Sequence, residues 1–263
     1  MLRKYNEIDD FELPIYIGTN EFSDDLYADL GKIGSILLMG DSDTGKTVLI
    51  HDMLLSLMNS KTPDECKFIL IDTSACQFIL FEKEKHILGK PIIDIGDALD
   101  SLNGIKNELH NRFKVLAEQK CLNIEAYNKK FEQKMPYIIC VIDELALLMT
   151  NFPQQMDNFI KECCETGKVV GIHFIFGIRE LMPEVFTRTV RYTIPNFITC
   201  QIDILRCNAD YISSYLQDIE PWQLNIGEHV LKIKSQKPIK LNGKLVKDRE
   251  IEKIIKDINR EDN

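Results

Sequence analysis

Unbroken apolar runs alternate along this chain with stretches whose apolar residues recur at helical spacing. Ser35-Ile36-Leu37-Leu38-Met39 is one such run and stops at Gly40, which predicts a buried strand. Residues 46–58 then place Val48, Leu49, Met53, Leu54 and Leu57 on one stripe, which predicts a helix. Phe68-Ile69-Leu70-Ile71-Asp72 predicts a second strand. Residues 97–119 predict a long helix, since Leu99, Leu102, Ile105, Leu109, Phe113 and Leu116 share a face. Residues 137–143 are the most β-like stretch. A helix is expected over 156–166, strands over 173–176 and 197–202, further alternation through 228–234 and 238–241, and a charged helix over 248–258. Residues 129–134 read as a polar connector, and Arg260-Glu261-Asp262-Asn263 as a frayed end.

Continuous apolar runs imply strands covered on both faces. Their alternation with helices implies an α/β fold with a mostly parallel central sheet and helices on both sides. No internal repeat, linker or low-complexity tract divides the 263 residues, so a single domain is expected.

Composition narrows the setting. No apolar run approaches the roughly 18 residues that a membrane-spanning helix needs. Met1-Leu2-Arg3-Lys4-Tyr5-Asn6-Glu7 has no apolar core of a signal peptide. The expected location is the cytoplasm, with any membrane tether supplied by a membrane-anchored partner protein. The cysteines Cys66, Cys76, Cys121, Cys140, Cys163, Cys164, Cys200 and Cys207 form no Cys-x-x-Cys pair and have no histidine at zinc spacing. They are expected to be reduced core residues. A net charge of −9 argues against a surface that is basic throughout, and leaves room for a local basic patch.

The chemistry begins where the first strand meets the first long helix. Gly40-Asp41-Ser42-Asp43-Thr44-Gly45-Lys46-Thr47 matches Gly-x-x-x-x-Gly-Lys-[Ser/Thr] in full. In this motif, loop amides and the helix N-terminus surround a phosphate. Lys46 is expected to reach the β- and γ-phosphate oxygens of ATP, and the Thr47 hydroxyl to ligate Mg²⁺. Asp41 and Asp43 are unusual in a loop that holds a polyanion, because their charge opposes it. They fit if the side chains point outward, and Asp43 can occupy a left-handed turn. Ile138-Ile139-Cys140-Val141-Ile142-Asp143-Glu144 supplies the second half, an apolar strand running into two acids. Asp143 is expected to hold the Mg²⁺ water shell, and Glu144 to orient and deprotonate the attacking water.

With these motifs in place, the sequence resembles the FtsK/SpoIIIE family of DNA-translocase motors, RecA-like ring ATPases. The resemblance runs through most of the chain. It is carried by Pro14-Ile15-Tyr16-Ile17-Gly18 with Ala28-Asp29-Leu30 (lead-in strands), Asn107-Glu108-Leu109, Arg112-Phe113-Lys114 and Ala126-Tyr127-Asn128. It continues through Pro136-Tyr137-Ile138 to Asp143-Glu144-Leu145-Ala146, then Gly171-Ile172-His173-Phe174 and Ile194-Pro195. Pro238-Ile239-Lys240-Leu241-Asn242-Gly243, Val246-Lys247-Asp248 and Glu250-Ile251 complete it. The resemblance implies lead-in strands over 1–33, a RecA-like core over 34–205 and C-terminal strands and helix over 206–263. It also implies ATP-driven movement of double-stranded DNA through a homo-oligomeric ring, a hexamer in the family, possible use in conjugative or mobile-element transfer, and a bare motor without the family's membrane and winged-helix parts.

Several positions depart from the family. Asp72-Thr73-Ser74 replaces Asp-Pro-Lys, and Ile178-Arg179-Glu180-Leu181 replaces Thr-Gln-Arg-Pro, the segment that carries a polar γ-phosphate sensor. Asn196-Phe197 replaces Thr-Arg, and Lys168 stands where a subunit-bridging arginine is usual. Arg179 is one position from the sensor and is a candidate substitute. These departures keep two alternatives open: a type VII-like protein-secretion ATPase, which shares the fold, and a nucleotide-binding regulatory subunit with little hydrolysis. Arg188 and Arg191, in residues 183–193, are candidate DNA contacts through phosphates, against the alternative of a solvated surface. Lys120, Lys129, Lys130 and Lys134 read as a solvated edge, His173 as packed core, and Trp222 as core of the C-terminal part. Tyr127 and Phe113 read as core, with stacking on adenine as the alternative.

Overall fold

A computed structural model describes residues 2–179, 181–203, 216, 219–244 and 248–261. Cys207, Glu180, Val246-Lys247 and the last two residues lie outside the described residues, as does the expected boundary near residue 205.

Ten strands form one sheet among these residues: β1 (Leu2–Lys4), β2 (Pro14–Thr19), β3 (Asp25–Asp29), β4 (Ser35–Met39), β5 (Cys66–Ile71), β6 (Tyr137–Ile142), β7 (Ile172–Ile178), β8 (Asn196–Thr199), β9 (Glu228–Ile233) and β10 (Ile239–Asn242). Their order is β1-β3-β2-β10-β9-β8-β4-β7-β6-β5. Strands β8, β4, β7, β6 and β5 run parallel. The other half, from β9 out to β1, is antiparallel. The expected mostly parallel sheet is present, with its parallel strands gathered in one half. The antiparallel half is built from hairpin-like returns that need no crossover helix, and its hydrophobic pattern is weaker.

The helices bounded among the described residues are α1 (Leu30–Ile33), α2 (Lys46–Ser60), α3 (Ile95–Glu118), α4 (Ile124–Lys130), α5 (Leu145–Asn151), α6 (Pro153–Phe159), α7 (Arg188–Thr193) and α8 (Asp248–Glu261). The helix expected over 156–166 starts earlier, with Pro153 in its first turn, where proline is well placed. It widens into a π turn over Ile160–Cys164.

Strand pleating divides the buried residues between two cores. Leu37, Met39, Ile138, Cys140, Ile142, Phe174 and Phe176 pack with Ile105 and Leu109 of α3 on one side. Ile36, Leu38, Ile139, Val141 and Ile175 pack with Met53 and Leu54 of α2 and Ile255 of α8 on the other. An apolar run with both faces covered is what these sequences encode. Cys66, Cys140, Cys163, Cys164 and Cys200 are buried free thiols, as expected, whereas Cys76 is exposed and Cys121 half-exposed, both in loops. Trp222 is half-buried in a short 3₁₀ turn rather than at the centre of a core. Among the described residues no helix is long and apolar enough to cross a membrane.

Candidate functional site

The carboxyl ends of β4, β6 and β7 are held level by their registers, with Met39 opposite Ile178 and Ile142 opposite Phe176. Loops leaving one edge of a parallel sheet form a crevice there. The glycine-rich loop leaves β4, Asp143 and Glu144 follow β6, and Arg179 follows β7.

The loop depends on left-handed backbone at three positions: Gly40 (φ 152°), Asp43 (φ 61°) and Gly45 (φ 105°). A Cβ at Gly40 would come within 2.8 Å of the Cβ of Cys200, so no side chain fits. Asp43 takes the turn expected of it, with its side chain exposed. Asp41 is also turned away from the loop's interior: its carboxylate accepts a hydrogen bond from the Asp203 amide at 2.6 Å. Thr44 is buried and donates to the Asp41 carbonyl at 2.8 Å. Lys46 donates to the carbonyls of Gly40 (2.7 Å) and Asp41 (2.6 Å). Burial pushes its ammonium below the usual lysine range, and nearby Arg179 pushes the same way. Thr47 lies in the first turn of α2, half-buried. Ser42 is exposed at the tip.

Asp143 is buried at the end of β6. Glu144 is the N-cap of α5, its carboxylate accepting from the Ala146 amide at 3.2 Å. Arg179 bridges the two acids, Nη2 to Asp143 at 2.9 Å and Nε to Glu144 at 3.2 Å. Burial raises both carboxyls above their ordinary range, and the guanidinium works against that rise. Lys46, Arg179 and the loop line one cavity of about 780 Å³. Its far wall comes from α2, from residues 76–80, and from the C-terminal strands through Gly227, His229 and Lys244.

The Asp72-Thr73-Ser74 segment keeps a positioning role. Buried Asp72 accepts from the amides of Gln77 (2.7 Å) and Phe78 (3.0 Å) and from the Ser74 hydroxyl (2.8 Å), fixing the loop that carries Cys76–Leu80. Ile178 is buried and apolar at the end of β7. Lys168 is exposed before the opposite end of that strand and does not line the cavity. Neither does Phe113 or Tyr127; both pack against the core on the α3 side, as expected of core residues. His173 is fully buried and donates from Nδ1 to the Gly34 carbonyl at 3.0 Å, a packed histidine. Arg188 is exposed on α7, its guanidinium 5.4 Å from the Tyr192 ring centroid, and Arg191 is half-buried one turn on. The pairing of Arg179 with both acids was not legible in the sequence beyond its place after a strand. Asp52 was also missed, though an acid one turn from Val48 and Leu49, on the inner stripe of α2, was a signal.

The FtsK/SpoIIIE family profile matches residues 1–181, more than half of the chain. This chain belongs to the FtsK/SpoIIIE family. It is 28% identical over 196 residues to the DNA translocase FtsK of Treponema pallidum, covering 72% of this chain and 24% of that protein. The chain spans about a third or less of the length of the curated relatives it matches. Among solved structures, the pCW3 conjugation coupling protein TcpA with ATPγS superposes with a TM-score of 0.82 at 21% identity, over 99% of this chain and 73% of that one. ATPases 2 and 3 of EssC from Geobacillus thermodenitrificans superpose with a TM-score of 0.77 at 18% identity, over 94% and 48%. These neighbours show the P-loop ATPase fold.

Proposed function

We propose that this FtsK/SpoIIIE-family chain is the ATP-hydrolysing motor of a ring that moves double-stranded DNA in the cytoplasm. The observation that carries the reading is that Lys46 and Arg179 line one cavity at the strand ends, with Asp143 and Glu144 paired to that arginine, beside a loop shaped by positive φ at Gly40, Asp43 and Gly45. DNA is favoured over a protein cargo because the relatives matched in sequence are DNA translocases. The likeness to EssC, at 18% identity, speaks for the fold alone. The likeness to TcpA, at 21% identity, likewise speaks for the fold, and conjugative transfer is the setting proposed because TcpA is a conjugation coupling protein.

The loop amides and the N-terminus of α2 bind the β-phosphate. Lys46 leaves its own loop carbonyls and turns its charge to the β- and γ-oxygens. Thr47 and Asp143 supply hard oxygen donors, and among the described residues no group of three or more His, Cys, Asp or Glu side chains forms a metal cluster. That set suits Mg²⁺, which keeps waters and completes its shell with phosphate oxygens. When bound, Mg²⁺ would neutralise charge developing on the phosphates. Glu144 orients the attacking water and takes its proton. Homo-oligomeric assembly, as a hexamer, would bring an arginine from a neighbouring copy to the γ-phosphate, and a membrane-anchored partner would tether the ring.

ATPase rate with and without double-stranded DNA, with Lys46→Ala as the blank, tests the proposal. Stimulation by DNA that vanishes in Lys46→Ala is the expected result. A rate indifferent to DNA, with no DNA binding at low salt, overturns it. One observation favours the alternative of a weakly hydrolysing regulatory subunit: Arg179 sits on both acids in this structure. A wild-type turnover no higher than that of Glu144→Gln would establish that reading instead.

A further inference from the structure

The cavity that begins at the phosphate loop runs along α2 to a carboxylate the proposed chemistry does not use. Asp52 is buried, lines that cavity, and no hydrogen-bond donor reaches its Oδ2. It follows Lys46 by six helical positions, about 9 Å along the axis. The cavity continues from the phosphate loop to this residue and has room for the nucleoside of a nucleotide whose phosphates sit at the helix N-terminus.

The walls there suit a flat heterocycle. Ile79 and Ile226 line the same cavity and are 65% and 74% exposed, apolar surface that a base would cover. Gly227 and Gly243 line it too, and neither carries a side chain to fill it. Lys244, a cation in this wall, pairs with Asp25 at 2.5 Å and lies 5.3 Å from the centroid of the Tyr16 ring. Its charge acts on the Asp52 carboxyl against the effect of burial, but Asp52 Oδ2 has no hydrogen bond. His229 is likewise engaged, with Nε2 at 2.7 Å from the Ile17 carbonyl. Asp52 is thus a buried polar group in this wall with an unused acceptor, and a buried acceptor without a donor is costly unless a ligand supplies one.

We propose that Asp52 is the base-reading residue of the site, its carboxyl group accepting a hydrogen bond from the exocyclic amino group of adenine. This rests on the nucleotide-binding reading above and adds the residue that selects the base. In its acid form the same group also donates to the neighbouring ring nitrogen, the paired pattern that adenine presents. Burial raises the Asp52 carboxyl to about 7, which keeps that form accessible.

Purine riboside triphosphate lacks the exocyclic amino group and keeps the N1 acceptor, whereas inosine offers an N1–H that a carboxylate also accepts, so the 6-unsubstituted purine is the probe. Equilibrium binding of ATP and of purine riboside triphosphate, each with Mg²⁺, is measured on the full chain. Wild type is expected to bind ATP about tenfold more tightly or better, the worth of one hydrogen bond to a buried polar partner. Asp52→Ala is expected to bring the two affinities within about twofold of each other. Asp52→Asn keeps the shape, the acceptor and a donor, and is expected to retain the preference. A preference that survives in Asp52→Ala, or is absent from wild type, overturns the assignment and leaves the phosphate site standing. If neither nucleotide binds wild type, or Lys46→Ala binds both as well as wild type does, both readings fall.

Discussion

His173 and Asp52 are both buried, and burial moves them in opposite directions on the pH scale. His173 is held neutral, its imidazolium pushed down to about 4 by loss of hydration. The unfolded chain takes up that proton near 6.5 and the native chain does not. The contribution of His173 to stability is therefore full above 6.5 and lost as pH falls towards 4. Asp52 is raised to about 7, so the unfolded chain releases a proton near 3.8 that the native chain keeps. Its contribution is full below 3.8 and lost as pH rises towards 7. Each effect is on the order of 3–4 kcal/mol by linkage. Urea unfolding from pH 4 to 7 is expected to show Asp52→Asn gaining on wild type as pH rises, and the advantage of wild type over His173→Gln shrinking as pH falls. Parallel curves for wild type and both variants would refute the assignment. Arg179 belongs to the same scale. Removing it leaves two neighbouring carboxylates facing each other, and because the arginine is about a third exposed the loss is about 1–3 kcal/mol. Arg179→Ala should melt below wild type without metal, and Mg²⁺ should raise its melting temperature more than it raises that of wild type. An equal rise in both would mean that Arg179 and the cation do not share Asp143.

The helices divide into those that carry the site and those that carry only the fold. Helix α2 opens at Lys46 and continues into both the phosphate site and the wall at Asp52. Helix α3 covers the opposite face of the sheet, burying Leu102, Ile105, Leu109 and Leu116, and contributes nothing to the cavity. Truncating Ile105→Ala is expected to cost about 2–5 kcal/mol in chemical denaturation while ATP affinity stays within about twofold of wild type. The same truncation at Leu49, on α2, should disturb both. A loss of ATP affinity in Ile105→Ala as large as its loss of stability would show that the two faces are coupled. Element boundaries follow the same logic. The apolar stripes of α2 and α3 are long and periodic, and their extents in the sequence and in the structure differ by a few residues at most. Helices α5 and α7 are short, their starts fixed by the carboxylate of Glu144 and the hydroxyl of Thr187 rather than by a stripe.

At the scale of the whole molecule, a net charge of −9 makes any DNA contact local. Arg188, exposed beside Tyr192, is the contact to test. Phosphate contacts release counterions, so replacing one arginine should weaken binding about equally across DNA sequences and lower the salt slope by about one. Arg188→Ala titrated with DNA at several salt concentrations checks this, and an unchanged slope would place the DNA elsewhere. The sequence by itself determined the phosphate loop, the acidic pair, the parallel half of the sheet and the family. Each is written in contiguous residues whose local chemistry is complete: a glycine pattern, an apolar run into two acids, a stripe. What only the tertiary structure decided is everything that needs distant segments to meet. Arg179 reaches Asp143 and Glu144 because β6 and β7 are neighbours with level ends. Asp52 faces a cavity because Gly227, Gly243 and Lys244 fold back over α2 from a remote part of the chain. No local pattern encodes that closure, since it is set by sheet order and by two-sided burial rather than by any residue's own preference.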